Sequence, residues 1–372
     1  MFIWYYGVLL FWLVPACVFI INVITWRRYT QTQNTHEVSV SVLIPARNEE
    51  NCIKKCVESV SRSTYNVAEI IVYNDQSTDR TQEILEKCQE TIPKLKILNG
   101  VDLPKGWAGK NHACHQLYNA SKGEILLFLD ADTSLFPNGL EQIVNTMNRN
   151  GLKSDLLSCL PKQKMISFGE KLVMPLLHIT LLSWLPLILV RLSSFVSCTA
   201  AIGQVIAIRR HTYTITGGFE SIKSSLLDDI DLAKLCKSQN HKICFIDGHN
   251  IAECRMYKSL YEIWNGFTKN IFVGLNFSIL LLFSTICAYS LAFVIPFIIP
   301  FLNLDMSLFL TWGGMVFTLL ARLWLTVRYD QSFLTAILQP FAVIILIGIA
   351  INSFLHFTFS EVTWKGRKYS NV

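Results

Sequence analysis

The sequence predicts an α/β domain with a mostly parallel sheet, carried on membrane helices at both ends, and three observations lead to that reading. Of 372 residues, 51% are hydrophobic and 16% charged, too apolar for an ordinary soluble enzyme. The apolar excess is concentrated near the two ends and in one block, residues 172–190. Between these regions β-branched runs alternate with helical patterns, and each run ends in a polar cluster. That is the signature of a doubly wound sheet, whose ligands bind beyond the carboxyl ends of its strands.

Residues 2–25 carry no charge and are long enough to cross ~30 Å of hydrocarbon, which takes about 20 helical residues. A cleaved signal peptide is disfavoured, because no basic region precedes the run and no A-x-A-like site follows it. Trp4, Tyr5 and Tyr6 at one end and Trp26 and Tyr29 at the other suit aromatic anchoring. Arg27 and Arg28 place this end, and the domain after it, in the cytoplasm. The expected organisation is an anchor over 1–26, a catalytic domain over 38–270, membrane helices over 276–357 and a basic tail over 358–372.

Within the central domain, "EVSVSVLIPARNEE" reads as a strand ending at Pro45, with a helical pattern over 49–60. "AEIIVYNDQSTDRTQEILEKC" repeats the arrangement, with a strand over 70–73 and a helix from about Thr78. "GEILLFLDADTSL" supplies a further strand running into two aspartates. Residues 172–190 could span on length alone, but Pro175, Pro186 and His178 weaken a spanning helix. A single crossing would also put Asp229 on the opposite side of the membrane from Asp132. The block is therefore read as an interfacial element on the cytoplasmic face, with a crossing pair that includes residues 193–208 as the alternative. "LLDDIDLAKLCKSQNHKICFID" reads as a helix with an acidic start, followed by a short strand. Residues 255–270 are amphipathic, aromatic and basic. Three candidate spans follow, over 276–302, 308–327 and 333–357. Three crossings would place the basic tail outside, whereas its Lys365, Arg367 and Lys368 prefer the inside. A break at Pro340 that makes the last span re-entrant would resolve the conflict.

Eleven cysteines are scattered without a C-x-x-C pair, which favours a reduced compartment over a disulfide framework. The net charge of +6 comes without a long basic run and suits an anionic membrane surface better than nucleic acid.

Asp130 and Asp132, directly after a buried strand, suit a hard divalent cation. Mg2+ and Mn2+ take oxygen ligands and retain waters, so one or two carboxylates plus phosphate oxygens suffice. Asn74, Asp75, Ser77, Thr78 and Asp79 form a second cluster at a strand end, and Ser, Thr and Asp there also serve as helix starters. Pro45 to Glu49, "VYNDQSTDRT", "LDADT" and "LLDDIDLA" together resemble the ordered motifs of family 2 glycosyltransferases with the GT-A fold, over roughly residues 38–270. The resemblance implies that Asp75 contacts the uracil end of a UDP-sugar, with Pro45 and Glu49 lining the same pocket and Lys110, in "GWAGKNHAC", near the nucleotide. It implies Asp130 and Asp132 as nucleotide and Mg2+ or Mn2+ ligands, and Asp229 as the base that deprotonates the acceptor during inversion. Asp228 stands where many relatives have Glu. Processive members carry Q-x-x-R-W; here Trp264 lacks the Arg, so a single transfer is expected. Gly217, Gly218 and Trp264 are assigned to the acceptor side.

"GWAGKNHAC", "GQVIAIRRHTYTITGGF", "RMYKSLYEIWNGFTKN" and "VTWKGRKY" narrow the resemblance to a membrane-anchored bacterial branch that glycosylates hopanoids and carotenoid acids. It implies a terpenoid lipid acceptor, with polyprenyl phosphate and diacylglycerol as alternatives. A transporter or scaffold with a degenerate nucleotide-binding domain is the reading from another class, and the sparse ionisable residues of the C-terminal spans speak against it.

Overall fold

Strand β1 (Val40–Ala46) is buried along nearly its whole length, as are β2 (Glu69–Asn74) and β4 (Ile125–Leu129). Burial on both faces is what parallel strands covered by helices require. In this computed structural model the described residues are 7, 10–26, 38–149, 153–302, 308–359, 362–364 and 367–369. Trp4, Tyr5, Tyr6, Arg27, Arg28, Tyr29 and Lys365, on which the orientation expectations rest, lie outside them.

The described residues divide into two units. One comprises residues 26–164 and 187–256; the other comprises those up to Thr25, 165–186 and from Tyr257 onward. The first holds an eight-stranded sheet in the order β3-β2-β1-β4-β7-β6-β8-β5, where β3 is Leu95–Asn99, β5 Thr133–Leu135, β6 Leu156–Gln163, β7 Val205–Arg209 and β8 Ile243–Cys254. Strands β3, β2, β1 and β4 run parallel. The other half is mixed: β7 runs against β4 and β6, and β5 against β8. The sheet is thus less parallel than the sequence suggests, and β8, expected short, has 12 residues.

The parallel half positions the site. Ala46 pairs with Asn74, and β4 lies beside β1 with Leu43 opposite Phe128. The segments after β1, β2 and β4 therefore leave the sheet at one edge. At the opposite end Glu69, nearly buried, accepts bonds from Ser41 Oγ at 2.8 Å, Lys96 Nζ at 2.7 Å and the Lys122 N–H at 2.7 Å. Burial alone would raise its carboxyl, but Lys96 and the other donors hold it below the usual carboxylate value. Both expected helices start later than their patterns suggest, at Ile53 and Thr81. Asn48 takes a left-handed φ of 55°, and Asp79 accepts the Thr81 N–H at 3.0 Å.

The second unit is helical. Residues 165–186 and 257–270, expected in the catalytic domain, cluster with it. Asn22, fully buried on the helix Leu13–Thr25, donates at 2.8 Å to the carbonyls of both Leu182 and Leu185. Gly313 and Gly314 let Trp12 approach closely, since a Cβ at Gly313 would sit 2.6 Å from its ring. Residues 172–190 are broken among the short helices Phe168–Val173, Pro175–Trp184 and Ile188–Leu192. The longest has 10 residues, about 15 Å of helix and half a bilayer core, so the block forms no single spanning helix.

Among the described residues, two helical stretches are long and apolar enough to cross a membrane, Ile279–Phe297 and Gln339–Phe359. The first passes through a π turn and ends in a 3-10 turn at Pro296, with a further 3-10 turn at Pro300 just beyond it, as expected where proline removes a helical donor. Leu308–Arg328 is a helix of 21 residues. The expected last span divides into Phe333–Ile337 and Gln339–Phe359. Pro340 sits in the first turn of the latter, where no N–H is needed, and so begins that helix instead of interrupting it.

Candidate functional site

The segment after β1 is tied to the segment after β2. Arg47 Nη1 donates to the Asp75 carbonyl at 2.7 Å and lies 4.0 Å from its carboxylate. Asn48 N–H donates to Ser77 Oγ at 2.9 Å, Thr78 N–H to Asn48 Oδ1 at 2.8 Å, and Glu49 N–H to Thr81 Oγ1 at 2.8 Å. Ser77, Thr78 and Asp79 are thereby accounted for as loop braces and a helix start. Asp75 is 5% exposed, and its N–H donates to the Ala46 carbonyl at 2.8 Å. Pro45 pairs with Tyr73 in the same corner.

Asp130 and Asp132 occupy the turn between β4 and β5. The Asp130 N–H donates to the Gln204 carbonyl at 3.2 Å. Gln204 is itself locked by Gln163 Nε2 at 3.0 Å and by the sulfur of Cys254 at 3.0 Å. Burial, then the charges of Asp130 and Glu49, push the Asp132 carboxyl up to about 7. Thr133 Oγ1 donates to it at 3.1 Å. No cluster of three or more His, Cys, Asp or Glu among the described residues is arranged to hold a metal alone. An under-compensated carboxylate beside Asp130 and Glu49 nevertheless fits a divalent cation whose shell is completed by phosphate and water.

Lys110 joins this edge to the acidic helix start. Its Nζ lies 2.9 Å from Asp130 Oδ1 and 3.1 Å from Asp228 Oδ2. Burial works against its charge, but Asp130 and Asp228 prevail and hold the ammonium well above the ordinary lysine value. Asp229 lies in the first turn of the helix Asp228–Ser238. Its Oδ2 accepts the Gly203 N–H at 2.8 Å and its Oδ1 the Ile230 N–H at 2.8 Å. Burial first, then Asp228, push its carboxyl up to about 6, against the opposing pull of Lys110 and those two N–H groups.

Two positioning residues escape the sequence reading. Asn111, 1% exposed, donates through Nδ2 to the carbonyls of Ile222 at 2.8 Å, Ser225 at 3.0 Å and Lys223 at 3.3 Å. It fixes the loop that leads into Asp228. Gly203 brings its backbone between the charges: a Cβ there would lie 2.8 Å from Lys110 Nζ and 3.6 Å from both Asp130 Oδ2 and Asp229 Oδ2. Asn111 follows Lys110 directly, which was its only available signal, and nothing near Gly203 in sequence points to Asp229.

The residues assigned to the acceptor side fall in two places. Gly217 and Gly218 have φ of 77° and 50°, and a Cβ on Gly218 would strike the buried ring of Tyr213 at 2.1 Å. A left-handed turn over Tyr213 explains the pair. Trp264 lies on the helix Leu260–Gly274 of the helical unit, against Gly348.

Residues 41–186 match the family model described as "Glycosyl transferase family 2". That segment carries a family 2 glycosyltransferase domain. The chain is 26% identical over 353 residues to the 4,4'-diaponeurosporenoate glycosyltransferase of Staphylococcus haemolyticus, covering 89% of this chain and 88% of that protein. The protein of the same name from Staphylococcus aureus is 26% identical over 356 residues, covering 92% and 91%. Among solved structures, a mannosyltransferase from Pyrobaculum calidifontis in complex with GDP-Man and Mn2+ aligns with a TM-score of 0.52 at 14% identity, over 95% of this chain and 99% of that one. At that identity the likeness speaks for the GT-A-like fold.

Two outcomes follow for this glycosyltransferase. Gly203→Ala should push Lys110 off its two carboxylates and lower sugar transfer by about 10²-fold, as a ~1 Å misplacement can, with a small change in Tm measured by thermal unfolding. The second concerns pH. A carboxyl whose folded-state pKa is raised binds its proton more tightly when folded, so its contribution is present below the unfolded value of ~3.9 and is lost as pH rises through about 7. Asp132→Asn should therefore raise Tm relative to the parent at pH 8 in metal-free buffer and leave it unchanged at pH 4.

Proposed function

We propose that this glycosyltransferase moves one hexose, glucose by preference, from a UDP-sugar to an apolar terpenoid acceptor at the membrane surface, a carotenoid acid fitting best. The observation that carries the reading is Lys110 held between Asp130 and Asp228 with Asp229 alongside. One cation there links the carboxylates suited to the donor diphosphate with those suited to the acceptor.

In this reading Asp75, Pro45 and Glu49 line the nucleoside pocket. Asp132 and Asp130 would hold Mg2+ or Mn2+, which when bound would supply charge neutralisation at the departing diphosphate. Lys110 orients the Asp130 carboxylate. The acceptor oxygen attacks the anomeric carbon from the face opposite the leaving group, while the bond to the phosphate oxygen breaks and its electron pair leaves with UDP. With a hydroxyl acceptor the proton passes to Asp229, whose raised pKa near 6 suits a base operating close to neutrality. A carboxylate acceptor has no proton to lose, and Asp229 then only orders the helix start. The names of the staphylococcal relatives favour the carboxylate. The two apolar stretches of the helical unit and the arginine pair after residue 25 favour a multi-pass membrane protein with the catalytic unit in the cytoplasm.

The test is mass spectrometry of membrane lipids from cells with and without this protein, followed by transfer assays on the purified enzyme. The reading expects a hexosylated terpenoid acid that disappears with the gene, preference for UDP-glucose over GDP-Man, and loss of transfer in EDTA or in Asp132→Ala. Asp229→Asn should be mild on the acid and cost about 10²–10⁴-fold on a hydroxyl acceptor. Full transfer in EDTA, or no change in the lipids, would contradict it.

A further inference from the structure

The helical unit contains a buried cation that no described acidic residue pairs with. Arg322, on the helix Leu308–Arg328, is 0% exposed and heads the fully buried side chains by size. Its Nη1 donates to Gln331 Oε1 at 3.1 Å. Its Nε and Nη2, together with Gln331 Nε2, have no hydrogen-bond partner among the described residues. No acidic group among them acts on the guanidinium. Gln339, which begins the final helix, is also fully buried with neither amide atom bonded.

A guanidinium keeps its charge at any accessible pH, and a buried charge is retained only with a partner. The amide oxygen of Gln331 supplies a dipole and no charge. The two unpartnered nitrogens share one edge of the planar guanidinium, the side-on fork that takes a carboxylate or phosphate through two parallel bonds. The same helix leaves Val316, Leu320, Leu323 and Val327 exposed as an apolar stripe turned away from Arg322, so the guanidinium faces into the helical unit while hydrocarbon suits the outer face. We propose that Arg322 and Gln331 form a binding site for the oxyanion headgroup, carboxylate or phosphate, of an apolar-tailed ligand. The site is separate from sugar transfer and rests only on the membrane placement of the helical unit, so either reading can fail without the other.

The test uses the full chain in neutral detergent, with thermal unfolding read after addition of phosphatidylglycerol, oleate, phosphatidylcholine or inorganic phosphate. One or both of the first two should raise Tm by roughly 3 °C or more beyond phosphatidylcholine, and the larger response identifies the headgroup. Arg322→Met should abolish the difference. Gln331→Glu, which puts a carboxylate where the amide oxygen already meets the guanidinium, should raise Tm without lipid and remove the response, and it keeps the test decisive if Arg322→Met does not fold. Equal shifts with phosphatidylcholine, an equal shift with inorganic phosphate alone, or an undiminished lipid response in Gln331→Glu would each overturn the proposal.

Discussion

Like charges gathered at one sheet edge need a cation, and that requirement shapes the catalytic unit. Asp130 and Asp132 follow β4, while Asp228 and Asp229 open a helix nearly a hundred residues later. The ammonium of Lys110 meets one carboxylate of each pair. Without it, both pairs would sit partly buried against their own repulsion, as the raised values of Asp132 and Asp229 record. Those raised values also show that one lysine does not compensate the whole edge. The shortfall is greatest at Asp132, where a divalent cation and a diphosphate would supply what is missing.

The fold meets this constraint with backbone groups more than with further charges. Parallel pairing of β2, β1 and β4 fixes where the three polar segments begin. Asn111, next to Lys110, ties down the loop before Asp228, so the lysine and its second partner are positioned by adjacent residues. Gly203 contributes its N–H to Asp229 and, by lacking a side chain, leaves room for the ammonium. Asp132 in the catalytic unit and Arg322 in the helical one, each under-compensated by the described residues, are of opposite sign. Each asks for a ligand of its own.

Strand-end chemistry was legible in the sequence because a buried strand has a clear period and ends in residues that cannot be buried unpaired. That logic located Asp75, Asp130 and Asp132, and motif order pointed to Lys110, Asp228 and Asp229. Strand direction carries no comparable signal, so the antiparallel insertion of β7 and the length of β8 went unread. Gly217 and Gly218 form a left-handed turn over the ring of Tyr213, a packing role that a glycine pair in sequence does not distinguish from an open ligand surface. Residues 165–186 cluster with the helical unit, and their apolar pattern does not reveal that Asn22 binds carbonyls among them.

The central claim is that Lys110 acts as one unit with the carboxylates on its two sides. A double-mutant cycle on sugar transfer tests it most directly, with Lys110→Met and Asp228→Asn made singly and together and folding checked by thermal unfolding. Groups in one network couple by about 0.5–3 kcal/mol, so the account predicts that the double variant loses little more activity than the worse single one. Strictly additive losses would show that Lys110 serves the donor side alone and would contradict it.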